Sequence, residues 1–194
     1  MHFSKVEIIH LTKAWGALSL AFGILLSLKD TFNPDFSVLP FTILFSAIVV
    51  GLGFLLHEMM HKYFAQKYHC WAEFRADDKM LLVAILISFL GVIFAAPGAV
   101  YIHGQHLSKK QYGIVSVAGP ATNVVLALLF WLLTFYENPL LASLGSYGFT
   151  INAWLAVFNL IPFGPLDGKK VLDWNKGVYA VAMIASVLLL MKAF

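Results

Sequence analysis

Charge is scarce in this sequence. Only 12% of its 194 residues are Asp, Glu, Lys or Arg, against about 25% in a soluble globular domain. The formal net charge of +3 is small and no basic run accompanies it, which argues against a nucleic-acid partner. There is a single cysteine, Cys70, so an internal disulfide and a multi-cysteine metal site are both excluded. Internal repeats and low-complexity tracts are also missing, and no soluble domain is expected at either end. What fills the chain instead is apolar: 60% hydrophobic residues, 15% of all residues aromatic. That composition predicts a lipid bilayer as the surrounding medium.

A helix crossing a bilayer needs about 20 mostly apolar residues. Residues 12–28, 40–66, 112–136 and 177–194 meet that requirement or nearly so, and 148–163 is a shorter fifth run stopped by Pro162. The first run follows Lys5 and Lys13 as a signal peptide would, yet no small-x-small cleavage site follows it. It reads as a retained anchor helix. Between the second and third runs, "HCWAEFRA" (69–76) alternates like a strand, 80–95 reads as a short helix, and "AVYIHG" (99–104) reads as extended.

Basic residues bear on whether 80–103 crosses or turns back. If it crosses, six spans place seven Lys and Arg on one side and six on the other, which orients nothing. If it re-enters, the division is eleven against two, with only Lys29 and Lys192 outside. The positive-inside rule prefers the re-entrant path. The expected fold is therefore an all-α polytopic membrane protein with about five to six transmembrane helices and a short β or re-entrant connector. The organisation expected is one membrane-embedded domain over 1–194, with a motif core at 40–168 and flanking helices 12–28 and 177–194.

Within this apolar background, "HEMMH" at 57–61 stands out. His57 and His61 are four apart and project from one helical face. Such a pair binds zinc through two imidazoles, with Glu58 placed as general base. The ordinary alternative is a polar interior or interfacial face, but ionisable groups inside a membrane segment are costly and mark function by default. Catalytic zinc takes three protein ligands and a water, so a third ligand comes from elsewhere. Most remaining acids sit in charged loops. Asp167, in "NLIPFGPLDG", ends an apolar segment, although an Asp-Gly turn is the commoner reading of that dipeptide. "GPATN" at 119–123 adds Asn123, whose ordinary use is helix–helix packing.

HExxH, GPxxN and NxxPxxxxDG, in that order, resemble the site-2 protease family of intramembrane zinc metalloproteases (peptidase family M50). All three stand here with matching residue types and spacing, as "HEMMH", "GPATN" and "NLIPFGPLDG". The resemblance covers about 57–168 and implies His57, His61 and Asp167 as ligands of one Zn2+ per chain. It further implies Glu58 as the base, and Asn123 and Asn159 lining the site near the substrate. Expected partners are transmembrane protein substrates and the lipid bilayer; the sequence says nothing of oligomeric state. The expected location is the cell membrane, multi-pass, with the active site towards the cytosol. No PDZ or CBS domain of the kind some relatives carry is expected.

An unwound substrate helix needs partners for its freed backbone groups. The extended stretch around Val100 could supply them by strand pairing, or could be a plain connector. Rival readings are a di-iron oxygenase or desaturase, a metal transporter, and an inactive relative serving as a binding module. A single close histidine pair opposes the oxygenase, ionisable groups gathered at one depth oppose the transporter, and the intact Glu58 opposes the inactive relative.

Overall fold

The structure, a computed structural model, describes residues 1–93, 97–104 and 107–193. It is mostly helical. The elements in order are α1 (Lys5–Ser27), β1 (Leu28–Asp30), β2 (Asn33–Pro34), α2 (Leu39–Val50), a π-helical turn (Gly51–Leu55) and α3 (Leu56–Lys67). They continue as β3 (Trp71–Ala76), α4 (Asp78–Ser88), β4 (Gly98–His103), α5 (Lys109–Leu133), α6 (Pro139–Asn159), α7 (Asp167–Trp174) and α8 (Lys176–Lys192).

Among the described residues four helices are long and apolar enough to cross a membrane: Lys5–Ser27, Leu39–Lys67, Lys109–Leu133 and Pro139–Asn159. The membrane class expected from composition is therefore observed, with fewer long helices than the five to six anticipated. Of the other two candidates, α8 has 17 residues and α4 only 11. Eleven residues rise about 16 Å, roughly half of a 30 Å hydrocarbon core. Phe94 to Ala96, Gln105, His106 and Phe194, which carry parts of the expected 80–95 helix, the extended connector and the last helix, lie outside the described residues.

The chain divides into two compact units. One contains His2–Leu55 and Glu73–Tyr101. Here Ser4 caps α1 by accepting from the Glu7 amide, the Trp15 indole donates to the Ala47 carbonyl at 2.8 Å, and the Thr42 hydroxyl donates to the Gly23 carbonyl at 2.8 Å. These bonds join α1 to α2. Asp77 caps α4, and its own amide donates to the Pro97 carbonyl at 2.9 Å. This bond sets Pro97 beside the residue that caps α4.

Beside this bond β3 pairs with β4. The strands run antiparallel, because Asp77 meets Pro97 at one end and the Trp71 ring meets His103 at the other. By antiparallel alternation, the N–H and C=O groups of Gly98, Val100 and Ile102 point away from β3. The far edge of β3 is closed by α1 side chains: the Phe74 amide donates to Glu7 Oε1 and the Ala76 amide to His10 Nδ1, both at 3.0 Å. Among the described residues β4 has no second strand partner.

The other unit contains Leu56–Ala72 and Ile102–Phe194. Ser108 and Gln111 form a capping box at the start of α5. Asn138 caps α6 by accepting from the Leu140 and Leu141 amides. The early part of α6 holds Ser143, Gly145, Ser146 and Gly148, which explains why the sequence pattern starts this helix near residue 148. Ser146 and Thr150 instead return their hydroxyls to carbonyls one turn earlier, at 3.0 Å, an internal satisfaction suited to an apolar medium. Gly148 faces the Phe130 ring of α5 so closely that a Cβ there would sit 2.3 Å from it.

Candidate metal centre

α3 presents His57 and His61 one turn apart, both buried, at 4% and 7% exposure. Their Nε2 atoms lie 3.0 Å apart. Asp167 opens α7, and its Oδ2 stands 3.0 Å from His61 Nε2 and 3.4 Å from His57 Nε2. The three residues offer ligand atoms within 4.8 Å of one another. The aspartate reaches this point because of Gly168: a Cβ there would lie 2.0 Å from the Leu160 carbonyl oxygen at the end of α6. The Asp-Gly pair is thus the close-packed start of a helix rather than an ordinary turn. An acid at a helix N-terminus is also favoured by the helix dipole.

Each imidazole is tied on its outer nitrogen. His61 Nδ1 is 2.8 Å from the Val115 carbonyl oxygen of α5. His57 Nδ1 is 2.6 Å from Asn123 Oδ1, also on α5. With both Nδ1–H groups donating outward, two Nε2 lone pairs and a carboxylate oxygen converge. Three acceptors in a buried space repel one another unless a cation lies between them. Their separations of 3.0–3.4 Å match the edge, about 3.3 Å, of a tetrahedron of ligands held about 2.0–2.1 Å from zinc. Space for the ion is reserved by Gly119, where a Cβ would fall 2.5 Å from both Nε2 atoms. The donor set and the open cradle fit zinc.

Lys170 Nζ lies 3.4 Å from Asp167 Oδ1 and 6.0 Å from the Tyr112 ring centre. It takes the carboxylate oxygen turned away from His61. Burial pushes the Asp167 carboxyl pKa up, but the neighbouring His61 and His57, with Lys170 assisting, hold it well below the usual carboxylate range. The carboxylate therefore stands ready as an anion.

The chain is 42% identical over 182 residues to "Putative zinc metalloprotease MJ0611" of Methanocaldococcus jannaschii, covering 92% of this chain and 90% of that protein. It belongs to this zinc metalloprotease family. A second relative, "Putative zinc metalloprotease Rip2" of Mycolicibacterium smegmatis, is 31% identical over 86% of this chain and 67% of its own length. "Putative zinc metalloprotease YwhC" of Bacillus subtilis is 27% identical, over 71% and 69% respectively. No family model matches, and no solved structure matches.

In this zinc metalloprotease the residues singled out from sequence divide as follows. His57, His61 and Asp167 come together, with Glu58 next to His57 on α3 and half-buried. Asn123 is fully buried behind His57. Asn159 ends α6, its amide donating to the Leu155 carbonyl of its own helix at 3.0 Å. Val100 lies on β4, in the other unit. The sequence reading missed Lys170 and Asn152. Asn152 is fully buried, accepts from Asn123 Nδ2 at 3.0 Å, and donates to the Gly148 carbonyl at 2.9 Å. An amide in the apolar stretch "FTINAWLAV" is the signal that would have found it.

Proposed function

We propose that this metalloprotease is of the site-2 type, hydrolysing peptide bonds in or near transmembrane segments of membrane-protein substrates. The observation that carries the reading is the convergence of two buried imidazoles and a buried carboxylate, the histidines borne on a helix long and apolar enough to span a bilayer. His57, His61 and Asp167 hold one zinc ion. Zinc bound there supplies Lewis acidity at the scissile carbonyl and a water that ionises near neutral pH. With zinc bound, Glu58 would serve as the base that accepts a proton from the attacking water and returns it to the leaving amine nitrogen. Asn159 lines the approach of the substrate.

A substrate helix hides its carbonyls in hydrogen bonds, so it unwinds before attack. Its freed groups need partners, since each unsatisfied group in hydrocarbon costs several kcal/mol. The outward groups of Val100, on an edge of β4 that has no strand partner among the described residues, support strand addition as the means of supplying them. The eleven-to-two division of basic residues supports a cell-membrane location with the site towards the cytosol. Labelling of a single cysteine at Gln105, in a Cys70→Ser background, from outside intact cells would overturn that orientation.

The deciding experiment is cleavage of a transmembrane substrate in proteoliposomes by wild type and Glu58→Gln. The variant keeps zinc, and turnover falls about 10²–10⁴-fold; turnover within tenfold of wild type removes Glu58 from the mechanism. In the same assay Val100→Pro, which deletes an outward donor, impairs cleavage with zinc content unchanged. Normal cleavage by that variant rules out strand addition at this position.

A further inference from the structure

Zinc needs the Nε2 lone pair of His57, and a neutral imidazole offers it only when the proton sits on Nδ1. What holds the proton there is not obvious, because the partner of Nδ1 is an amide. Turned one way, Asn123 presents an oxygen and keeps the proton on Nδ1. Turned the other way, it presents NH2 and drives the proton to Nε2, where it blocks the metal. Asn123 is fully buried, so its other end has to be matched as well.

Asn152 supplies the match, and its own orientation is not free. Its amide meets the Gly148 carbonyl at 2.9 Å. A backbone carbonyl only accepts, so the NH2 of Asn152 faces it and its oxygen faces Asn123, 3.0 Å away. That oxygen demands the NH2 of Asn123, which turns the Asn123 oxygen to His57 at 2.6 Å. The directions of these three bonds agree with one carbonyl on α6 as their anchor. We infer that Asn152 is a positioning residue: through Asn123 it fixes the tautomer in which His57 can bind zinc. This deepens and rests on the zinc-protease reading.

His61 provides a built-in control, since its Nδ1 bonds the Val115 carbonyl directly at 2.8 Å and owes nothing to Asn152. The test uses the full chain in detergent micelles, with zinc affinity read by chelator competition and histidine tautomers read by imidazole ¹⁵N NMR on metal-free protein. In wild type both histidines show Nδ1–H. In Asn152→Leu, His57 loses that preference while His61 keeps it, and zinc affinity falls about 10–100-fold, the usual cost of an outer-shell partner. Asn152→Asp retains an oxygen facing Asn123 in either protonation state, so it restores the His57 signature and most of the affinity.

An Asn152→Leu protein with wild-type affinity and an unchanged His57 spectrum overturns the inference. So does one in which both histidines shift together, because that reports general loosening of the helices. Failure of the zinc reading itself shows separately, as wild-type affinity retained by Asp167→Ala, and the metal-free spectra still read the relay in that case.

Discussion

His61 and His57 sit one turn apart on α3 and face the same centre, yet they are held at different removes. His61 is tied directly to a backbone carbonyl on α5. His57 is tied to a side-chain amide, Asn123, which is itself bonded through Asn152 to a carbonyl on α6. A carbonyl cannot be removed by changing a side chain, whereas an amide relay can be cut at either link. One flank of the site is therefore resistant to substitution and the other is exposed to it. Cutting the relay at Asn123 also takes the donor away from the buried Asn152 oxygen, which adds about 1–3 kcal/mol of cost to the loss of orientation.

The largest effect is expected where both flanks are struck at once. Gly119→Ala places a Cβ on both Nε2 atoms, and Asp167→Ala removes the ligand that both face. Each is expected to abolish zinc binding at nanomolar free zinc by chelator competition; full occupancy in either would mean the ion is held elsewhere. Next comes the relay. Asn123→Leu is expected to weaken zinc by about 10–100-fold, with the His57 ring signal altered and that of His61 preserved. Equal disturbance of both rings would erase the distinction between the flanks. The smallest effect belongs to the direct tie. Val115→Ala opens a small void at a buried site but keeps the carbonyl, so zinc affinity is expected to stay within about threefold, well below the outer-shell cost. A tenfold loss there would show that the valine side chain, not the backbone, holds His61.

How much of this was legible in the sequence depends on the range of the interaction. The histidine pair was legible because helical periodicity puts residues four apart on one face. Asp167 was legible only in company with the other motifs, since Asp-Gly alone reads as a turn; the reason for the glycine, the Leu160 carbonyl, is a tertiary contact. Asn152 was overlooked because its only local signal is an amide in an apolar stretch; what gives it a role is an amide 29 residues away, a tertiary contact. The start of α6 was misplaced for a related reason, as Gly145 and Gly148 discourage a helix locally and are present to admit α5. The short α4 was overestimated because the apolar run continues past it, while the helix itself ends at Ser88, three residues before Gly91, whose φ is +76°.

The sheet formed by β3 and β4 has one further consequence. A two-stranded sheet ordinarily has two free edges, and a free edge invites other chains without limit. Here Glu7 and His10 occupy the far side of β3 at Phe74 and Ala76, so among the described residues β4 alone presents an edge without a partner. A sheet closed in this way would take a guest strand on one side alone. Two copies meeting through these edges could only close on each other as a pair, never extend into a fibre. In a chain whose long helices are apolar enough to cross a membrane, this limit allows an adhesive edge without making the protein a seed for aggregation.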